Sequence, residues 1–99
     1  MGADDKEALA TTTKIHVTVR YFAKLRESFG LGSERIELPA GIADVGALRE
    51  WLRGRGGAWA EELAAGRAVR VAVNAEMAEP ATPVRDGDEI AFFPPVTGG

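Results

Sequence analysis

The chain has 99 residues, of which 45% are hydrophobic and 27% charged, and it contains no cysteine. This length suits one small soluble domain and excludes a two-domain enzyme. Without cysteine, the chain has no disulfide framework, thiolate metal site or thiol nucleophile. The balance of 12 Lys and Arg against 15 Asp and Glu gives a net charge of −3. This charge disfavours nucleic acid and anionic membranes as partners.

The N-terminal residues 1–13 are small and polar. They lack the basic and apolar regions of a secretion signal, and no stretch of the chain approaches the ~18 apolar residues of a membrane span. We therefore expect a flexible extension over 1–13 and a cytoplasmic protein that does not enter a membrane. The folded domain is expected over 14–94 and an extended tail over 95–99.

The first predicted elements are a strand and a short helix. The spacing of apolar residues is two along the strand, at Ile15, Val17 and Val19. His16 is one of the polar residues that alternate with them, so it is predicted to be an exposed strand residue rather than a ligand or a base. From Phe22 to Phe29 the spacing becomes helical, and Gly30 suits a left-handed C-terminal cap.

A second strand and the main helix follow. The run SERIELP alternates like a strand and ends at Pro39. Asp44 is a suitable N-cap for a helix with one apolar stripe, made of Val45, Leu48, Trp51 and Leu52. Gly46 costs about 1 kcal/mol in a helix relative to alanine, so packing must stabilise this segment. Trp59 and Leu63 predict one further helical turn on the same core.

Two later strands complete the predicted fold. Val69, Val71 and Val73 alternate with polar or small residues, and DGDEIAFFPP contains a turn followed by a last strand. The element order predicts an α+β domain with a mixed sheet packed on one main helix.

Glycine and carboxylate clusters give weak functional signals. The run GRGG at 54–57 is more typical of a helix end than of a phosphate loop. Asp86, Asp88 and Glu89 are explained by a solvated turn, so we predict no metal site.

The C-terminal run FFPPVTGG is the unusual feature of the sequence. Pro94 and Pro95 lack an N–H group, so the strand must end there and the chain must leave as a stiff extended segment. Gly98 and Gly99 have no Cβ, and such a backbone can enter a narrow channel and present its terminal carboxylate. The alternative is a frayed glycine-rich terminus without a function.

The last strand also predicts a docking surface. If Ile90 and Phe92 face the core, Ala91 and Phe93 face outward, which would expose a large aromatic side chain. Ala72 would lie beside them on a paired strand. Small and apolar residues on an open face suggest partner docking, although the chain's own loops could instead cover Phe93.

Four motifs, in this order and spacing, resemble the small, ubiquitin-like sulfur-carrier subunits of molybdopterin synthase. They are YFAKLRE, ADVGALREWL, VAVNAEM and, most specifically, DGDEIAFFPPVTGG. The resemblance covers residues 14–99. It implies a ubiquitin-like β-grasp fold and a non-catalytic subunit that belongs to molybdenum-cofactor biosynthesis.

The resemblance also implies a chemical role for the terminus. An adenylating enzyme related to ubiquitin activators would use ATP and magnesium to make a transient acyl adenylate at Gly99. A persulfide donor would then supply sulfur for a thiocarboxylate, and the carrier itself would hold no stable cofactor. The large subunit would accept the sulfur for cyclic pyranopterin monophosphate, in a heterotetramer of two small and two large subunits.

Residue roles follow from the same resemblance. Gly99 would bear the reacting carboxyl, while the inserted tail would comprise Pro94, Pro95, Val96, Thr97 and Gly98. Phe93, Ala91 and Ala72 would belong to the docking surface. Two alternatives remain: a sulfur carrier for thiamine thiazole formation and a ubiquitin-like interaction module with a chemically silent tail.

Overall fold

A computed structural model of the chain describes residues 14–94. The predicted extension over 1–13 and the tail residues 95–99 lie outside the described residues. The elements in chain order are β1 (Ile15–Tyr21), α1 (Ala23–Phe29), β2 (Ser33–Leu38), α2 (Val45–Arg53), α3 (Gly57–Glu62), β3 (Arg70–Val73), β4 (Glu76–Met77) and β5 (Glu89–Phe93).

The strands form one five-stranded sheet in the order β2-β1-β5-β3-β4. Strand β1 pairs antiparallel with β2 and parallel with β5, whereas β3 pairs antiparallel with both β4 and β5. The sheet is therefore mixed, and the predicted α+β class is confirmed. The last strand in the chain lies in the middle of the sheet.

The core lies between one face of this sheet and the helices. The predicted stripe of α2 supplies buried Val45, Leu48 and Leu52, with Trp51 partly buried against them. The predicted N-cap is confirmed, because a carboxylate oxygen of Asp44 accepts a hydrogen bond from the Ala47 N–H at 2.8 Å.

Gly46 has a packing role in α2. Its N–H donates to the Pro80 carbonyl oxygen at 2.9 Å, and a Cβ at this position would lie 3.3 Å from that oxygen. A side chain at residue 46 would therefore crowd the loop before β5, which approaches the helix closely here. This contact provides the tertiary support that a helical glycine requires.

The hairpin between β3 and β4 was not predicted. Its turn places Asn74 at φ 50° and Ala75 at φ 72°, and neither is a glycine. The sequence signal for such a turn is normally Asn-Gly or Asp-Gly, and β4 has only two residues, so periodicity could not reveal it.

The predicted turn before β5 is confirmed, with Gly87 at φ 88°. The Asp86 carboxylate accepts from the His16 N–H at 2.8 Å, and the Gly87 N–H donates to the His16 carbonyl at 2.7 Å. Asn74 accepts from the Glu89 N–H at 3.0 Å and donates to Asp88 at 2.9 Å. These contacts fix the start of β5 to β1 and to the β3–β4 hairpin.

A polar cluster links β1, β2 and the segment between α2 and α3. The Tyr21 hydroxyl donates to Glu34 at 2.7 Å, and Arg55 donates to both Glu34 oxygens at 2.8 and 3.2 Å. Burial raises the pKa of Tyr21 above its ordinary value, and the hydrogen bond to Glu34 adds to that effect. Burial alone would raise the pKa of Glu34, but hydrogen bonds from Arg55 and Tyr21 outweigh it and lower that pKa.

We expect Glu34→Gln to lower the free energy of unfolding at pH 7 by about 1–2 kcal/mol, since a hydrogen-bonded charge is lost. A carboxyl whose pKa is lowered on folding stabilises the fold above its unfolded-state pKa, and this contribution is lost as pH falls through the folded-state pKa. The deficit should therefore disappear in acid. Urea unfolding between pH 3 and 7 measures it, with Glu37→Gln on the exposed side of the same strand as control. Equal deficits at both pH extremes would contradict the role of ionised Glu34.

No helix of the part described is long and apolar enough to cross a membrane; the longest, α2, has nine residues.

Candidate functional site

Strand β5 fixes the point at which the C-terminal segment leaves the domain. Tyr21 pairs with Phe92 on one side, and Arg70 pairs with Phe93 on the other. The Phe22 N–H donates to the Phe92 carbonyl at 3.2 Å. The strand ends at Phe93, as predicted, because Pro94 has no N–H to continue the ladder.

The predicted tail residues Pro95, Val96, Thr97, Gly98 and Gly99 lie outside the described residues, whereas Pro94 is the last described residue. Five residues span at most about 18 Å when fully extended, which limits the reach of the segment after Pro94.

The two faces of β5 differ as the alternation predicts. Ile90 and Phe92 are fully buried against the helices, while Ala91 and Phe93 lie on the other face of the sheet, which we call the open face. Ala72 pairs directly with Ala91 and lies on the same face.

Phe93 and Ala72 lie on this face as the alternation predicts, but neither side chain is fully exposed. Phe93 is half-buried, because its ring stacks on that of Phe22 with centroids 4.8 Å apart and an interplanar angle of 12°. Ala72 is only 6% exposed, since its small side chain lies among larger neighbours.

Phe22 lies on the open face, whereas its helical spacing with Leu25 and Phe29 predicted a place in the first helix. Its backbone is extended, at φ −122° and ψ 155°, and the next residue, Ala23, has a φ of 51°. This change of direction before α1 places the Phe22 ring against Phe93 on the open face. The adjacent aromatics Tyr21 and Phe22 were the available signal, since neighbouring strand residues point to opposite faces.

We define the open-face patch as Phe22, Ala72, Met77, Ala91 and Phe93. These residues line one shallow depression, and Met77 is 62% exposed. Arg20 borders the patch, with its guanidinium 5.3 Å from the centre of the Phe22 ring and a nitrogen 3.2 Å from a Glu89 oxygen. An apolar centre with a charged border is typical of a surface that binds another protein.

Other candidate groups show no catalytic arrangement. His16 is 48% exposed, as predicted for a strand residue on the polar phase. Gly56, which precedes α3, and Gly57, the first residue of α3, adopt positive φ angles, which gives these two glycines a structural role. Within residues 14–94, no group of three His, Asp or Glu side chains could hold a metal ion.

The family profile that matches this chain spans residues 19–99 and describes the ThiS family. The chain belongs to the ThiS family. A curated relative in Haemophilus influenzae, the molybdopterin synthase sulfur carrier subunit, is 42% identical over 83 residues, which are 84% of this chain and 99% of that protein. The resemblance seen in the sequence motifs is thus confirmed.

Two solved structures place this ThiS-family chain among ubiquitin-like folds. The crystal structure of small archaeal modifier protein 1 from Haloferax volcanii is 30% identical, with a TM-score of 0.69 and coverage of 83% of this chain and 99% of that chain. A chain from the complex of subunits 1 and 2 of molybdopterin-converting factor from Helicobacter pylori is 30% identical, with a TM-score of 0.56 and coverage of 86% and 100%. The β-grasp prediction is confirmed.

Proposed function

We propose that this chain is the sulfur carrier of a molybdopterin synthase, with the sulfur held on Gly99. The central position of β5 is the observation that carries the proposal. Pairing on both sides and the Phe22–Phe93 stack hold the strand up to Phe93, so the segment PPVTGG starts from a fixed point. The similarity to a curated sulfur carrier subunit supports the same role.

Loading, the attachment of sulfur to Gly99, requires activation of the terminal carboxylate, because a carboxylate is a poor electrophile. A Gly99 carboxylate oxygen attacks the α-phosphorus of ATP, and pyrophosphate leaves. The terminal sulfur of a persulfide then attacks the acyl carbon of the adenylate and expels AMP. A thiol then attacks the donor's sulfur in the resulting acyl disulfide, forms a disulfide with the donor and releases the thiocarboxylate, which is a far better nucleophile than the carboxylate.

The catalytic groups for these steps belong to partners. An adenylating enzyme related to ubiquitin activators supplies the ATP and magnesium site, and a persulfide donor supplies sulfur. In this chain Gly98 gives clearance beside the reacting carboxyl, while Pro94 to Thr97 form the segment that enters the partner. The carrier alone is therefore a substrate of one enzyme and a subunit of another.

The large synthase subunit is proposed to bind the open-face patch. Phe93 belongs to the patch and directly precedes the tail. A protein docked on the patch would therefore lie beside Pro94 and could receive residues 94–99. The Helicobacter pylori relative is itself one subunit of a two-subunit complex. We propose the same pairing here, with two small and two large subunits, and with cyclic pyranopterin monophosphate as sulfur acceptor.

The first experiment is an intact mass measurement after incubation with the adenylating enzyme, ATP, magnesium, a persulfide donor and a thiol. We expect the mass change for one oxygen replaced by sulfur, mapped by C-terminal fragmentation to Gly99. Omission of ATP should prevent it. An unchanged mass, with the enzyme shown to be active on a known carrier, would contradict the proposal.

Two other functions have specific support. The ThiS family match is compatible with a carrier for thiamine thiazole formation, which would give the same thiocarboxylate but fail to convert the pyranopterin with the large subunit. The similarity to a small archaeal modifier protein is compatible with a ubiquitin-like interaction module. A module with a silent tail predicts that removal of Gly98 and Gly99 leaves its function intact.

A further inference from the structure

Exposed positive residues lie at the end of the sheet where the tail begins. Arg70 pairs directly with Phe93 in the sheet register, and its side chain is exposed. Lys24 is exposed in the first turn of α1, two residues after Phe22. We call Arg20, Lys24 and Arg70 the cationic rim.

Negative side chains cluster at the opposite end of the same strands. Asp86 and Asp88 lie in the turn before β5, and Glu37 lies beside His16 at the start of β1, with their side chains 3.9 Å apart. From Asp88 to Phe93 the strand extends about 17 Å. Exposed Lys14 and Arg85 lie at this end too and offset part of its negative charge, so the two ends of the sheet differ in the sign of their excess charge.

The two ends act independently in physiological salt. The Debye length is about 8 Å at 0.15 M ionic strength, roughly half of the distance between them. The field in front of the tail is thus set by the cationic rim itself. Glu89 offsets Arg20 through the 3.2 Å ion pair, whereas Lys24 and Arg70 make no ion pair with another residue of 14–94.

We propose that the cationic rim recognises carboxylates bordering the tail-receiving cleft of the partner and orients the chain before docking. This inference deepens the proposed function and rests on it, with the large synthase subunit as the partner. The partner surface would have an apolar centre for Phe22 and Phe93 and acidic residues around it. Electrostatic complementarity of this kind acts mainly on the association rate.

The test compares two charge reversals that change the net charge equally. Lys24→Glu with Arg70→Glu inverts the rim, whereas Lys14→Glu with Arg35→Glu inverts two exposed residues near the acidic end and on the edge strand β2. Association with the large subunit from the same organism is followed by stopped-flow fluorescence from 20 to 500 mM NaCl. Lys24→Gln with Arg70→Gln provides an intermediate step, and circular dichroism verifies folding.

We expect the rim reversal to slow association by about tenfold or more at 20 mM NaCl, since steering raises association rates by 10- to 1,000-fold. The control pair should change the rate by about twofold or less, and the variants should converge at high salt. Equal effects of both reversals, or a rate independent of salt, would overturn the inference. So would absence of binding by the unmodified chain, whereas the thiocarboxylate mass measurement decides the carrier function separately.

Discussion

A Gly98→Val variant is expected to fold normally and to accept no sulfur at Gly99. The side chain would lie one residue from the reacting carboxyl, in the segment that must enter the narrow site of the adenylating enzyme. A displacement of about 1 Å at a reacting centre can cost about 100-fold in rate, so we expect at least that loss. Intact mass after incubation with the adenylating enzyme, ATP and persulfide measures it.

The matched control is Gly66→Val. Gly66 lies in an exposed loop, and a Cβ there would meet no other heavy atom within 4 Å. This variant introduces the same side chain outside the tail and should load like the unmodified chain. Full loading of Gly98→Val would refute the proposed role of the diglycine.

A single alanine added after Gly99 is expected to block loading for a different reason. It leaves both glycines in place but moves the terminal carboxyl by about 3.5 Å along an extended backbone. Retained loading on the added residue would show that the enzyme selects a flexible terminus rather than a fixed distance from β5.

Local patterns predicted most of the fold because each left a periodic or chemical signal. Alternation located β1, and Asp44 with its apolar stripe located α2. The β3–β4 hairpin left no such signal, since its turn uses Asn74 and Ala75 where glycine is usual. Its pairing depends on tertiary contacts, including the hydrogen bonds between Asn74 and the start of β5.

The candidate site was predicted less completely than the fold. The alternation of β5 assigned Phe93 and Ala91 to the open face, but it carried no information on what covers a side chain. The stack on Phe22 depends on the unusual backbone at Ala23, and Met77 reaches the patch through the unpredicted β4. These features depend on contacts between segments that are far apart in the sequence, and a local sequence pattern carries no information on such contacts.

Substitutions of Phe92 and Phe93 test whether the two faces of β5 have different roles, one in the stability of the domain and the other in docking. Phe92 is fully buried, so Phe92→Ala is expected to lower the free energy of unfolding by about 3–5 kcal/mol. Small domains have a free energy of unfolding of about 5–15 kcal/mol in total, so this loss is a large share of the stability of the domain. Urea unfolding followed by tryptophan fluorescence measures the loss.

Phe93→Ala should have the opposite profile. It removes a half-buried ring and one aromatic stack, which is worth about 0.5–1.5 kcal/mol, so the domain stays folded. The large-subunit affinity should nevertheless fall by about 30-fold or more, because aromatic residues at the centre of an interface contribute about 2 kcal/mol or more. Isothermal titration measures the affinity. Wild-type affinity would place the docking surface elsewhere, and a stability loss equal to that of Phe92→Ala would contradict the assignment of Phe93 to the open face.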